Sequence, residues 1–361
     1  MIRRAAIVGG ILALPAALVR LAVGRGAARL LDAPRVMAEE AALGPAVDAL
    51  GGEVVRLRSR DGLRLAGRWL PAEHPPEHPA VATNGDNAGD AWRPDPHEAI
   101  LLLHGWSGSI APDLVEYGPF LRRTAGVLGL DFRGHGDSDP APTTFGLHEV
   151  EDVAGALAWL GERGITRVAL VGTSMGGIIA LASIAVLGDG SLPSADLDPY
   201  APAHDVEAPR PRIVGASVDS VPPELTVGVG NRMRVPFRKF VAGQVFEAAS
   251  RRIGGDMRAT EPIRIAGLLE GVPVLLIHGA ADRTVPAADG RRLAAAIGPG
   301  VDHWIVPNAT HSAAHATDPA AYEERVGVFL RRAFASARAA APIIGRPVLD
   351  DAPAGGGLEG D

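Results

Sequence analysis

The chain has 361 residues, 47% of them apolar, enough to bury one sizeable core. Its formal net charge is −7, with no basic block in the region that carries the motifs below, which argues against a nucleic-acid partner. It contains no cysteine, which excludes disulfides, thiol catalysis and zinc–thiolate sites.

At the N-terminus Met1-Ile2-Arg3-Arg4 precedes an apolar run from Ala5 to Val19, followed by Arg20-Leu21-Ala22-Val23. The 19 residues from Ala5 to Val23 amount to about 28 Å of helix, close to the thickness of a bilayer core. Residues 1–35 are therefore expected to be a hydrophobic anchor or signal segment, with a single membrane helix over residues 5–23. A cleaved signal on a secreted protein and a helix packed on a cytoplasmic domain are the alternatives.

Next, Val54–Ser59 and Leu63–Leu70 read as a β-hairpin. Residues 71–98 are rich in Pro, His, Asn, Gly and Asp and read as a surface insertion. Ala99-Ile100-Leu101-Leu102-Leu103 is a buried-strand pattern running into His104-Gly105-Trp106-Ser107-Gly108. Val127–Asp131 is another, running into Phe132-Arg133-Gly134-His135-Gly136-Asp137-Ser138.

The strand pattern Arg167–Val171 then meets Gly172-Thr173-Ser174-Met175-Gly176-Gly177 and the apolar helix start Ile178–Ala182. Strand, G-x-S-x-G, helix is the arrangement that lifts a serine hydroxyl above a sheet on a strained tight turn. The glycines Gly172 and Gly176 supply room that side chains would fill. A serine hydroxyl is a poor nucleophile at neutral pH, so such a site also needs an imidazole to take its proton and a carboxylate to orient that imidazole.

Further on, Gly188 to Pro211 reads as a loop excursion, and Ile213–Val218 as a strand ended by Asp219. Val272–Gly279 ends in Ala280-Ala281-Asp282-Arg283-Thr284-Val285-Pro286, and Trp304-Ile305-Val306 leads into Pro307-Asn308-Ala309-Thr310-His311-Ser312. Residues 339–361 end in Pro, Gly and acidic residues and read as a disordered tail.

With these motifs together, the chain resembles the α/β-hydrolase superfamily from about Glu53 to Phe334. The resemblance implies an α/β fold, a mostly parallel central sheet flanked by helices, over residues 50–338. It also implies a small helical cap over about 222–271. It implies a triad in the order serine, acid, histidine, which falls on Ser174, Asp282 and His311. Asp219 is the alternative acid and His315 the alternative base, expected to be solvated beyond the loop tip. His104 and His135 are expected to hydrogen-bond loop backbone, and His278 to be a packed histidine. The resemblance further implies an oxyanion hole from the backbone N–H groups of Trp106 and Met175. In the cap, Met233, Val235, Phe237, Phe240, Val241, Val245 and Phe246 either line an acyl pocket or pack the cap onto the body.

The expected activity is that of a serine hydrolase of the esterase or serine aminopeptidase-like branch, cleaving small carboxylic esters through an acyl-enzyme. A thioesterase or a serine aminopeptidase-type peptidase shares every motif, and a non-catalytic binding protein is the alternative of another class. The expected partner is a small-molecule ester or acyl substrate. No cofactor and no metal is expected, since no metal-ligand spacing and no G-x-G-x-x-G after a strand occurs.

Overall fold

The computed structural model describes residues 19–35, 40–73, 92–188 and 210–340. Most of the expected insertion (74–91), most of the loop excursion (189–209) and the expected tail from residue 341 lie outside the described residues.

In chain order the elements are α1 (residues 19–31), a 3-10 turn (Glu40–Leu43), α2 (Gly44–Ala49), β1 (Glu53–Arg58), β2 (Arg64–Leu70), β3 (Glu98–Leu103), α3 (Ala111–Leu121), β4 (Gly126–Leu130), α4 (Glu149–Gly161), β5 (Arg167–Thr173), α5 (Met175–Leu187) and β6 (Arg212–Asp219). There follow α6 (Leu225–Arg232), α7 (Arg238–Ile253), α8 (Pro262–Ile265), a 3-10 turn (Ala266–Leu269), β7 (Val274–Gly279), α9 (Ala287–Ile297), β8 (Val301–Val306), α10 (Ala314–Thr317) and α11 (Pro319–Ala340).

The strands form one eight-stranded sheet in the order β1-β2-β4-β3-β5-β6-β7-β8. β1 pairs antiparallel with β2 and β2 antiparallel with β4, while every other pairing is parallel. This is the mostly parallel sheet with flanking helices expected from the sequence. All residues of β3, β4 and β7 are buried, as strands covered on both faces require. Alternate residues serve opposite faces. Leu101 and Leu103 pack in one core with α4 and α5, while Ile100 and Leu102 pack in the other with α3 and α11. The carboxyl ends of the parallel strands all open at one edge of the sheet, and the loops bearing the sequence motifs meet there.

The segment between β6 and β7, where the cap was expected, holds α6, α7 and α8. Ala242, Val245, Phe246 and Ala249 of α7 are buried in the body. Val235, Phe237 and Phe240 are exposed, so these three neither pack the segment down nor line an internal pocket.

The N-terminal expectation needs correction. Among the described residues no helix is long and apolar enough to cross a membrane. Residues 5–18 of the apolar run lie outside the described residues. From residue 19 the chain forms α1, whose Ala27, Leu30 and Leu31 join the main core. The apolar face of α1 is thus used on the body of the protein. The strap that follows is stitched to two motif loops: Pro34 O accepts the Gly108 N–H at 2.7 Å and Arg35 O the Gly136 N–H at 2.9 Å. The membrane location assigned from residues 5–23 is withdrawn.

Candidate active site

β5 delivers Ser174 to the apex of the turn into α5. Ser174 has φ 50° and ψ −109°, outside the regions open to ordinary residues, a geometry that costs about 1–3 kcal/mol. The surroundings hold it there. Its N–H donates to Asp219 O at 2.8 Å, and its carbonyl accepts the Ile178 N–H at 3.1 Å. The turn closes only because its flanks are glycine: a Cβ on Gly176 would stand 2.1 Å from Leu103 O, and one on Gly172 would stand 2.5 Å from the Gly176 carbonyl carbon. The N-terminus of α5 lies directly after the serine, so partial positive charge faces any anion formed there.

Two further loops converge on this hydroxyl. Ser174 Oγ donates to His311 Nε2 at 3.1 Å, and His311 Nδ1 donates to Asp282 Oδ2 at 2.8 Å. Asp282 is buried, and its other oxygen, Oδ1, accepts the Thr284 and Val285 N–H groups at 2.7 and 2.8 Å. The carboxylate is therefore fixed by its own turn with one oxygen left for the imidazole. Burial pushes the Asp282 carboxyl up. The His311 hydrogen bond and charge, with the two amides, outweigh it and hold the group below its ordinary value.

The alternative residues lie elsewhere. Asp219 is buried at the end of β6, where its Oδ1 accepts from Ser220 Oγ at 2.9 Å. Burial raises its carboxyl to about 7. His315 is not solvated as expected. Its ring lies against Tyr117, Phe120 and Tyr322, and its Nδ1 pairs with Glu116 Oε1 at 2.9 Å, which ties α10 to α3. That hydrogen bond raises its pKa.

Met175 follows Ser174 directly, and Trp106 lines the cleft over that serine. Met175 opens α5, and first-turn amides have no acceptor inside a helix. The loop bearing Trp106 is held by His104, which is buried. Its Nδ1 donates to Gly105 O at 2.7 Å, and its Nε2 accepts the Phe132 N–H at 3.1 Å. Burial lowers the His104 pKa to about 3, so the ring stays neutral and keeps that acceptor. The loop after β4 is pinned in turn. Asp131 accepts the Ile110 and Asp137 amides, and Arg133 forks onto Asp152 and Asp61 at 2.8 Å each. His135 hydrogen-bonds Arg133 O at 2.9 Å. His278 donates to Val221 O at 3.1 Å, while its other ring nitrogen is buried without a partner. These groups build the frame and do not reach Ser174.

The cleft over the serine encloses about 260 Å³ and is lined by Trp106, Asp113, Glu116, Ser174, Arg232 and His311, among others. Asp113, Glu116 and Arg232 escape sequence reasoning, because only the packing of α3 and α6 brings them here. Asn231 Nδ2 donates to Thr284 O at 2.9 Å, which fixes the end of α6 beside the Asp282 turn. Among the described residues no group of three or more His, Asp or Glu side chains is placed to hold a metal ion.

Comparison with known proteins identifies the family and the fold. The model of the alpha/beta hydrolase family matches residues 100–325. The uncharacterized protein YfhR of Escherichia coli O157:H7 is 26% identical over 251 residues, 68% of each chain. The uncharacterized protein Rv2307c of Mycobacterium tuberculosis is 27% identical over 281 residues, 76% of each chain. Among solved structures, the Pyrococcus furiosus esterase Pf2001 has a TM-score of 0.56 at 21% identity, covering 84% of this chain and 98% of that one. An alpha-beta hydrolase from Vibrio vulnificus has a TM-score of 0.56 at 18% identity, covering 82% and 89%. The likeness to these two structures concerns the fold.

Proposed function

The chain belongs to the alpha/beta hydrolase family, and from that premise we propose that it is a serine hydrolase that cleaves carboxylic esters through an acyl-enzyme. The observation that carries this reading is the unbroken relay from Ser174 Oγ through His311 to Asp282, at 3.1 and 2.8 Å, on a strained strand-to-helix turn.

Each role follows from chemistry. Ser174 Oγ attacks the ester carbonyl carbon while its proton passes to His311 Nε2. The carbonyl oxygen becomes an oxyanion, which the N–H groups of Trp106 and Met175 receive. The carbon–oxygen bond to the alcohol then breaks, the alcohol takes the proton from His311, and the acyl group remains on Ser174. Water repeats the sequence from the other side: it loses a proton to His311 and attacks the acyl carbon, the bond from that carbon to Ser174 Oγ breaks, Ser174 Oγ takes the proton back from His311, and the acid leaves. Asp282 stays ionised throughout and keeps the His311 tautomer that can accept at Nε2.

One observation favours a second reading, a peptidase of the serine aminopeptidase type. Glu40 and Glu116 are among the residues lining the cleft, and carboxylates there suit a substrate with an ammonium group near its scissile bond. A fluorophosphonate probe tests the common ground of both readings. Wild type is expected to gain one covalent adduct by intact mass, and Ser174→Ala none. A folded wild type that stays unlabelled would leave the binding-protein alternative. A panel of p-nitrophenyl esters, acyl-thioesters and aminoacyl amides then ranks the substrate classes.

A further inference from the structure

Residues 232–240 read Arg-Met-Arg-Val-Pro-Phe-Arg-Lys-Phe. Four of the nine carry positive charge and none is acidic, on a chain whose net charge is −7. Alternation with Met, Val, Pro and Phe hides the cluster from a search for basic blocks. The flanking acids are engaged elsewhere: Glu224 pairs with Arg292 at 2.9 Å and Glu247 with Arg251 at 2.8 Å.

The apolar members of the segment are turned outward. Every residue from 234 to 240 is exposed, with Phe237 at 85%, Phe240 at 69% and Val235 at 46% of full accessibility. Phe237 holds a left-handed backbone, φ 53°, which a bulky residue seldom adopts. Phe240 lies in the opening turn of α7, and Phe237 immediately precedes that turn. The result is a convex knob with aromatic tips and cations between them. It stands at the cleft, since Arg232 at its root lines the same cavity as Ser174 and His311.

We propose that this knob is a docking surface for an anionic lipid interface. A knob of this exposure fills no groove, and a protein partner would have to supply a matching pocket. A lipid surface needs none. Aromatic rings settle at the level of the acyl boundary, while Arg234, Arg238 and Lys239 meet the phosphates above it. The contact is peripheral and calls for no spanning helix. It brings the mouth of the cleft to a surface rich in acyl esters of amphiphilic alcohols. That substrate consequence rests on the serine hydrolase reading, whereas the docking itself does not.

The test uses the full-length Ser174→Ala protein, so that binding is read without turnover. Flotation is measured with vesicles of phosphatidylglycerol mixed with phosphatidylcholine, and with phosphatidylcholine alone. Flotation is expected with the anionic vesicles, and it should fall as salt rises. Each basic residue at such a surface contributes roughly fivefold in partition, so the pair R234E/K239E is expected to weaken binding by about 25-fold or more. F237S/F240S is expected to lose flotation as well. All these proteins share residues 1–18, so a signal carried by the N-terminal run would persist unchanged in the variants. Equal flotation of parent and variants, equal flotation with neutral vesicles, or none at all overturns the proposal. The same substitutions made with Ser174 intact should leave turnover of a soluble p-nitrophenyl ester unchanged. That measurement shows the variants folded and separates a failure of docking from a failure of the hydrolase reading.

Discussion

Ser312, the residue after His311, donates its backbone N–H to Ser220 Oγ at 2.9 Å. Ser220 Oγ in turn donates to Asp219 Oδ1 at 2.9 Å, and Asp219 O holds the amide of Ser174 at 2.8 Å. A set of hydrogen bonds thereby connects the histidine loop to the turn that carries Ser174, independently of the Ser174–His311 contact itself.

Ser220→Ala removes both bonds of that hydroxyl. Unfolding in urea should show a loss of about 1–3 kcal/mol, the range for buried groups left unpaired. kcat should fall with KM little changed, since the cleft wall is untouched. Ser220 has φ 58°, which glycine adopts freely. Ser220→Gly is therefore expected to lose as much kcat and less stability. If both variants keep full kcat, the network has no part in placing His311.

Asp282→Asn should lower kcat by about 10⁴, because an amide favours the wrong tautomer of the imidazole. Asp219→Asn should cost far less, since Asp219 makes its contact with Ser220 and not with His311. Steady-state kinetics on one p-nitrophenyl ester decides between them, and the reverse ranking would make Asp219 the orienting acid.

Asp219 also gives the fold a pH dependence. Its carboxyl is raised by burial from 3.8 to about 7. Between those values the folded protein holds a proton that the unfolded chain has released, so this group makes stability fall as pH rises from about 4 to about 7. Asn cannot ionise there and can still accept from Ser220. Asp219→Asn is thus expected to gain stability over wild type at pH 8 and to lie much nearer to it at pH 4. Urea titrations at the two values measure the difference, and an offset independent of pH would contradict the assignment.

Trp106 separates backbone from side chain in the proposed oxyanion hole. Trp106→Ala keeps the amide and should retain appreciable kcat, with KM altered by loss of the ring from the cleft. Trp106→Pro removes the donor, and the loss of one such donor costs about 10²–10³ in kcat. Circular dichroism and fluorophosphonate labelling establish that each variant is folded. Equal damage in the two would assign the effect to the indole.

Much of this molecule is legible in its sequence because the loops that meet at the cleft follow their strands directly. Strand and loop are adjacent in the chain at Leu103–His104, Thr173–Ser174 and Gly279–Ala280, so pattern alone locates them. What escapes is set by contacts between residues far apart. His315 read as a solvated loop residue, yet packing of α10 against α3 seats it beside Glu116. Arg133 belongs to a recognisable loop, but its partners Asp61 and Asp152 emerge only when β1 and α4 are packed together. The apolar residues of α7 and of the segment before it look alike in sequence. Val245 and Phe246 face the body whereas Phe237 and Phe240 stand clear of it, a distinction that depends on where the helix lies.

The strap after α1 changes where the working unit begins. Its motifs start near Glu53, and a shortened version cut at residue 36 would look complete by that measure. It would nonetheless lose Ala27, Leu30 and Leu31 from the core. It would also strip the carbonyl acceptor from the Gly108 amide, two residues from Trp106, and leave the Gly136 amide only its 3.1 Å bond to Gly108 O. A cut just before residue 19 spares every one of these contacts. Shortened forms made for expression or crystallisation should therefore keep residues 19–35, and any loss of activity on their removal speaks of damage to the folded body before it speaks of lost targeting.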